Sequence, residues 1–354
     1  MRHFVPEVSR CRCRKLLICR SEFGSLNSIV KRICFAAIAG LITGCPGCYR
    51  DPASNRPIDG GSTRPNSHGR GFAIVGYLPD YRVDGIAPEV GRHLTDLIYF
   101  SIEPNADGSI NSDRFSSTAR ERLHVFRTFG VRIHVCIGGW DRSDHFGPVA
   151  TRPEVRQRFV DNVLQFCADN RFDGVDIDWE FPDNDAERRA WCELLADLKA
   201  GLAKQGLMLS VAVASMQEFP AGIPAQVDRI HLMAYNAQGR HATLEHARQT
   251  VHRYTRDIGI APNRLLLGVP FYGRGIADRS RTMTWENIVR QFHPAADVDE
   301  VDGLYFNGPE TLRNKIRMAK NAGLGGIMIW EIGQDARGEN SLLRLVCEAA
   351  RLTR

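Results

Sequence analysis

RIHVCIGG (132–139) and FDGVDID (172–178) bracket a helical stretch, Arg152–Asn170, and this strand–helix–strand order decides the fold. Both runs are short, almost continuously apolar and rich in Val and Ile, the pattern of strands buried on both faces of a parallel sheet. Between them Pro153 stands at an early helical position, and Val155, Phe159, Val163, Leu164 and Cys167 recur at helical spacing. The alternation repeats outward in both directions. FAIVGY (72–77), DLIYFSI (96–102), LMLSVAVA (207–214), RIHLMAY (229–235), RLLLGVPFYG (264–273) and GGIMIW (325–330) bring the runs to eight. Asp185–Gln205, Leu244–Ile258 and Glu310–Ala322 read as further helices, with Gly206, Gly259 and Gly323 where C-caps belong. Eight such strands over 71–354 predict an α/β domain of the (β/α)8 TIM-barrel type. An open doubly wound sheet requires a Gly-rich phosphate loop after the first strand, and GYLPDY (76–81) supplies none.

The composition misleads until it is divided by position. The 354 residues carry a formal net charge of +5 and ten cysteines, which taken whole point to a nucleic-acid binder or a disulfide scaffold. Residues 1–44 hold eight Lys/Arg against two acidic residues, so 45–354 has a net charge of −1. Six of the ten cysteines lie at or before Cys48. A near-neutral, cysteine-poor body argues against nucleic-acid partners.

Lys31-Arg32 followed by ICFAAIAGLITG (33–44) reads as a secretory signal too short to span a membrane. Ile42-Thr43-Gly44-Cys45 resembles the bacterial lipobox, so residues 1–44 are expected to be a leader and Cys45 a lipidated N-terminus. The protein is then exported and lipid-anchored to a bacterial membrane, with plain secretion as the alternative. Residues 1–29 sit awkwardly upstream of such a signal, which points to a true start near Val30. Residues 45–70, rich in Pro, Gly, Ser and Asn, read as a flexible tether. Cys45-Pro46-Gly47-Cys48 has redox spacing without the strand-to-helix context that a redox site requires.

If the body is a barrel, chemistry belongs at the C-terminal ends of its strands. The fourth run ends in Asp176, Asp178 and Glu180, spaced by two and so on one face, while Ile177 and Trp179 point the other way. Three carboxylates on one buried face cannot all ionise normally, and shared protons with a raised pKa suit a general acid. A Ca²⁺ or Mg²⁺ site is the alternative, although calcium loops are flexible and carry Gly at the turn. Gly138-Gly139-Trp140 end the third run, Tyr235-Asn236 the sixth and Trp330-Glu331 the eighth.

FDGVDIDWEFP resembles the D-x-x-D-x-D-x-E signature of family 18 glycoside hydrolases, the chitinases and related endo-β-N-acetylglucosaminidases. IGGW is similar to the family's S-x-G-G motif and VDRIHLMAYN to its M-x-Y-D motif. RLLLGVPFYGR and GGIMIWEIGQD match its seventh and eighth strands, and the resemblance covers roughly 71–350 in the family's order. It implies a retaining, substrate-assisted hydrolysis of β-1,4-linked N-acetylglucosamine, as in chitin, its oligomers or N-glycan cores. Glu180 is then the acid/base, Asp178 orients the acetamido group, Asp176 shares a proton with Asp178, and Tyr235 holds the acetamido carbonyl. Trp330 floors the sugar subsite, with Asn236, Met233, Trp140, Tyr77, Phe100 and Tyr272 as further cleft residues. Asp173, of the wrong parity for the inner face, is structural support, as are Cys136, Gly138 and Gly139. Trp191 and Trp285 read as packing residues. No metal or organic cofactor is implied, and a monomer is expected. A binding lipoprotein with little turnover is the contrasting function.

Two residues depart from the family pattern. Cys136 stands in place of Ser and Asn236 in place of Asp, the latter losing a charge. The connection between Gly273 and Gly325 is short for the α+β insertion domain of some members, so an open, shallow groove and endo-type cutting are expected.

Overall fold

The computed structural model describes residues 71–352; the expected leader, the expected lipidation at Cys45 and the expected tether over 45–70 lie outside the described residues. Eight parallel strands form the sheet: β1 (Ala73–Pro79), β2 (Asp96–Pro104), β3 (Arg132–Gly138), β4 (Gly174–Asp178), β5 (Met208–Ala214), β6 (Arg229–Met233), β7 (Leu265–Pro270) and β8 (Gly326–Trp330). Each pairs with its neighbour in chain order, and β8 pairs with β1, so the sheet closes into a (β/α)8 barrel.

Alternation along each strand builds two cores. Ile74, Leu78, Val175 and Ile177 face the surrounding helices. Ala73, Val75, Tyr77, Ile98 and Met328 fill the barrel interior. Helices Pro153–Asn170 and Asp185–Lys204 lie close to their sequence expectations, the latter burying Trp191, Leu194, Leu195 and Leu198. The helix expected over Leu244–Ile258 stops at His252 and continues as one π turn, Arg253–Asp257. Gly206, Gly259 and Gly323 all take positive φ after helix ends, as the C-cap reading requires. No helix among the described residues is long and apolar enough to cross a membrane.

The connection after β7 holds more structure than its length led the sequence reading to expect. It folds into a four-stranded antiparallel sheet, Tyr272–Gly275, Thr282–Thr284, Glu300–Val301 and Leu304–Tyr305, with a helix over Trp285–Phe292. Strands of two to four residues make a small α+β unit possible in so short a segment. Trp285 packs on Phe306 with ring centroids 5.6 Å apart, a packing role as read.

At the opposite end of the barrel from the strand C-termini, Asp96 is buried among cations. Arg132 Nε lies 2.8 Å from Oδ1, His134 Nε2 3.0 Å from Oδ1, and Arg229 Nη1 3.0 Å from Oδ2. Burial alone would raise this carboxyl, but the His134 hydrogen bond and the charges of His134, Arg229 and Arg132 hold it well below the usual range. A depressed carboxyl stabilises the fold above its unfolded value, about pH 4, and that contribution is lost as pH falls through the folded value. Asp96→Asn is therefore expected to destabilise the barrel by about 2–3 kcal/mol at pH 7, read as a lower urea midpoint. The gap to wild type should close in acid; an unchanged midpoint at neutral pH would show that the cluster contributes nothing.

Candidate active site

The strand register brings the site together from the inner row outward. Asp176 and Asp178 of β4 pair with Cys136 and Gly138 of β3, and Asp176 pairs with Ser210 of β5. Glu180 lies two residues beyond the strand, above the inward row. Its backbone N–H donates to Ser143 Oγ at 3.1 Å, and the Ser143 hydroxyl also lies 3.1 Å from the Asp178 carbonyl. Gly138 and Gly139 have φ of 96° and 102°, which only glycine adopts freely. A Cβ at Gly138 would sit 2.4 Å from the Asp178 carbonyl oxygen, and one at Gly139 2.2 Å from the Phe100 ring. Both glycines thus support the site by letting the β3 end approach β4 and Phe100.

Two carboxyls of the row have raised pKa values and the third a lowered one. Burial, then Glu180 and Asp176, push Asp178 well above its usual range. Burial pushes Glu180 up to about 7, opposed by a hydrogen bond from the Trp140 backbone and reinforced by Asp141. Asp176 moves the other way. Burial opposes its charge, but His231, Ser210 and Tyr77 together lower it. Ser210 Oγ donates to Oδ1 at 2.5 Å, Tyr77 donates to Oδ2 at 2.7 Å, and His231 Nδ1 lies 3.3 Å from Oδ1. His231 Nδ1 also lies 2.9 Å from the Tyr77 oxygen. Among the described residues no hydrogen bond joins Asp176 to Asp178, whose Oδ1 is buried without a partner. Their surroundings thus move the two carboxyls in opposite directions, Asp176 down and Asp178 up. The Cys136 thiol, which stands where the family pattern has a hydroxyl, is raised by burial and by Asp176 and Asp178.

A cavity of about 330 Å³ opens over this row, lined by Asp178, Glu180, Tyr235, Asn236, Met233, Trp140, Tyr77, Phe100 and Trp330. These were all read from the sequence. Trp330 meets Phe100 edge to face, centroids 4.7 Å apart, and Tyr77 at 5.7 Å. Trp140 is 67% exposed, an aromatic face at the rim. Tyr77 lines the cavity although only 1% exposed, and its hydroxyl also donates to Asp176. One of the expected cleft residues serves otherwise. Tyr272 lies outside the lining; it stacks on His241 and donates to Asn236 Oδ1 at 2.5 Å. Asp173 pairs with Arg127 at 2.6 Å and accepts the Ile133 N–H at 2.8 Å, a structural role as read.

Sequence reasoning missed Arg142, Tyr81, Ala212 and Met328 in the lining, and Ser210, His231 and Ser143 behind it. Ser210 and His231 did leave a signal, since each is a polar residue at inward parity in an otherwise apolar run. Arg142 and Tyr81 sit on loops, where periodicity says nothing. Among the described residues no three His, Cys, Asp or Glu side chains are grouped as metal ligands.

The sequence model of glycosyl hydrolases family 18 matches residues 73–335. Chitinase 1 of Aphanocladium album is 24% identical over 78% of this chain and 84% of its own length. Endochitinase 1 of Metarhizium robertsii is 27% identical over 60% of this chain, which spans 64% of that protein. Among solved structures, the family 18 chitinase from the chitin utilization locus of Flavobacterium johnsoniae superposes with a TM-score of 0.72 at 26% identity, covering 80% of this chain and 94% of that one. A chitinase from Bacteroides thetaiotaomicron, 22% identical, shares the fold with a TM-score of 0.74 over 79% of this chain and 97% of its own.

Proposed function

The chain belongs to family 18 of the glycosyl hydrolases and is a glycosidase, and from that premise we propose that it hydrolyses β-1,4 linkages between N-acetylglucosamine units with retention, by substrate assistance. Glu180 protonates the glycosidic oxygen as that bond breaks. The carbonyl oxygen of the substrate's own 2-acetamido group bonds to the anomeric carbon, giving an oxazolinium ion. Water then attacks the anomeric carbon, the Glu180 carboxylate takes its proton, and the ring opens to restore both the acetamido group and the acid.

Asp178 accepts the acetamido N–H on its unpartnered Oδ1, which sets its carboxyl against the developing positive charge. Asp176, kept ionised by Tyr77, Ser210 and His231, adds negative potential from below. The Tyr235 hydroxyl, whose contact in the free protein is the Met328 sulfur at 3.8 Å, is available to the acetamido carbonyl. The Trp330 ring supplies an apolar face for the sugar. The observation that carries the reading is Glu180, with a pKa of about 7, in one cavity with Asp178, whose carboxyl is also raised and whose Oδ1 has no partner.

The test compares an N-acetylglucosamine tetramer with its cello-oligosaccharide counterpart. Glu180 acts only while it carries its proton, so kcat/KM on the first should fall as pH rises through about 7. The second, lacking the internal nucleophile, should not be cleaved; its efficient cleavage would overturn substrate assistance. A high-mannose glycopeptide run alongside separates chitin-type from N-glycan substrates.

A further inference from the structure

Among the described residues, two guanidinium groups near Asn236 have no ion-pair partner. Arg274 Nη1 donates to Asn236 Oδ1 at 2.7 Å, and its Nε donates to the Arg279 carbonyl at 2.7 Å. Arg279 Nη2 donates to the Asn236 carbonyl at 2.9 Å. Every one of these acceptors is neutral. Three carboxylates of the same segment are engaged elsewhere. Glu300 pairs with Arg240 at 2.7 Å, Asp302 pairs with Arg281, and Asp278 accepts the N–H and hydroxyl of Ser280 at 3.0 and 2.6 Å. Arg142, the cation in the cavity lining itself, is matched by Asp80 at 3.0 Å. Among the described residues neither Arg274 nor Arg279 forms an ion pair.

The position is close to the chemistry. The Tyr272 hydroxyl, hydrogen-bonded to the same Asn236 Oδ1, feels the charges of Arg274, Arg279 and Glu180 together. Asn236 itself lines the cavity and is exposed. With Asp at this position Arg274 would have an ion-pair partner; with Asn it has an acceptor and keeps its full positive potential at the cleft edge. Arg274 is half-buried and Arg279 exposed; both lie outside the cavity lining and reach it through Asn236. A planar guanidinium fork matches a carboxylate in bidentate geometry better than it matches any neutral sugar hydroxyl.

We infer that the Asn236 end of the cleft is a subsite for an N-acetylhexosamine unit bearing a carboxylate, recognised by Arg274 and Arg279. The inference deepens the glycosidase reading and rests on it. Such a carboxylate reaches a β-1,4 N-acetylglucosamine chain in two ways, as a 3-O-lactyl ether or as a C6 uronic acid, and the test carries an arm for each.

The experiment measures kcat/KM on three tetramers, one neutral, one lactylated and one C6-oxidised, for wild type, Asn236→Asp and Arg279→Gln. Wild type should favour at least one acidic tetramer by about five- to tenfold at low ionic strength, and the preference should shrink as salt is added. Asn236→Asp should bring the ratio near one by pairing Arg274, and Arg279→Gln should lower it several-fold. The acidic tetramer that is favoured identifies the source of the carboxylate. A wild-type preference for the neutral tetramer, or a ratio that neither variant moves, would overturn the inference and leave the glycosidase reading standing. Binding of the same tetramers to Glu180→Gln, followed by calorimetry, reads the preference without turnover. If wild type cleaves none of the three, the proposed reaction fails on its own terms, and the binding ratio still decides the subsite.

Discussion

Glu180→Gln is expected to lower kcat on N-acetylglucosamine oligomers by about 10³-fold while leaving their affinity within a few-fold of wild type. The reason lies in what the side chain's surroundings do to its proton. Burial at the end of β4 raises Glu180 to about 7, so at neutral pH a large share of molecules hold the proton that the leaving oxygen requires. An amide of the same shape fits the same space, and its backbone stays tied to Ser143. It has no acidic proton to give. Reducing-end release measures the first half of the expectation and calorimetry the second. Residual activity in the variant should also lose the fall in rate above pH 7. Turnover equal to wild type would remove Glu180 from the reaction. A wild type that binds oligomers tightly and never turns them over would instead favour a binding protein.

Asp178→Asn is expected to separate activity from stability. Burial, Glu180 and Asp176 all favour the protonated form of Asp178 in the free protein. A folded-state pKa above the unfolded value means that this group's contribution to stability is full below about pH 4 and lost as pH rises through the folded value. Asn has no proton to lose, so the variant escapes that loss and its Tm should exceed wild type at neutral pH, with the difference closing in acid. Catalysis needs the opposite state. A positive oxazolinium ion requires a carboxylate at fixed distance, and a neutral amide should lower kcat by about 10²- to 10³-fold. A kcat within about threefold of wild type would be incompatible with Asp178 as the charge-balancing group. Higher stability together with lower turnover would mark the destabilisation as part of the site.

Much of this was legible without coordinates because strand and helix periods are local. Runs such as DLIYFSI and GGIMIW announce buried parallel strands, and the parity of Asp176, Asp178 and Glu180 against Ile177 and Trp179 follows from a period of two. Gly206, Gly259 and Gly323 mark helix ends because a positive φ is a property of one residue. The short strands after Tyr272 were less legible, since two to four residues carry too little pattern to register.

By itself, then, the sequence determined the barrel, its family and the row of carboxyls at the end of β4. Only the tertiary structure decided which member of that row has its pKa lowered. Asp176 meets Tyr77 from β1, Ser210 from β5 and His231 from β6, partners 99, 34 and 55 residues away along the chain. Closing the sheet brings them to one carboxylate, whereas Asp178 finds burial and like charge. The same closure set the Tyr77 hydroxyl on Asp176, turned Tyr272 toward Asn236, and left Arg274 and Arg279 on neutral acceptors. A carboxyl's ionisation and an arginine's counter-charge depend on every neighbour within a few ångströms, and those neighbours are chosen by strand register and barrel closure, which no local period encodes.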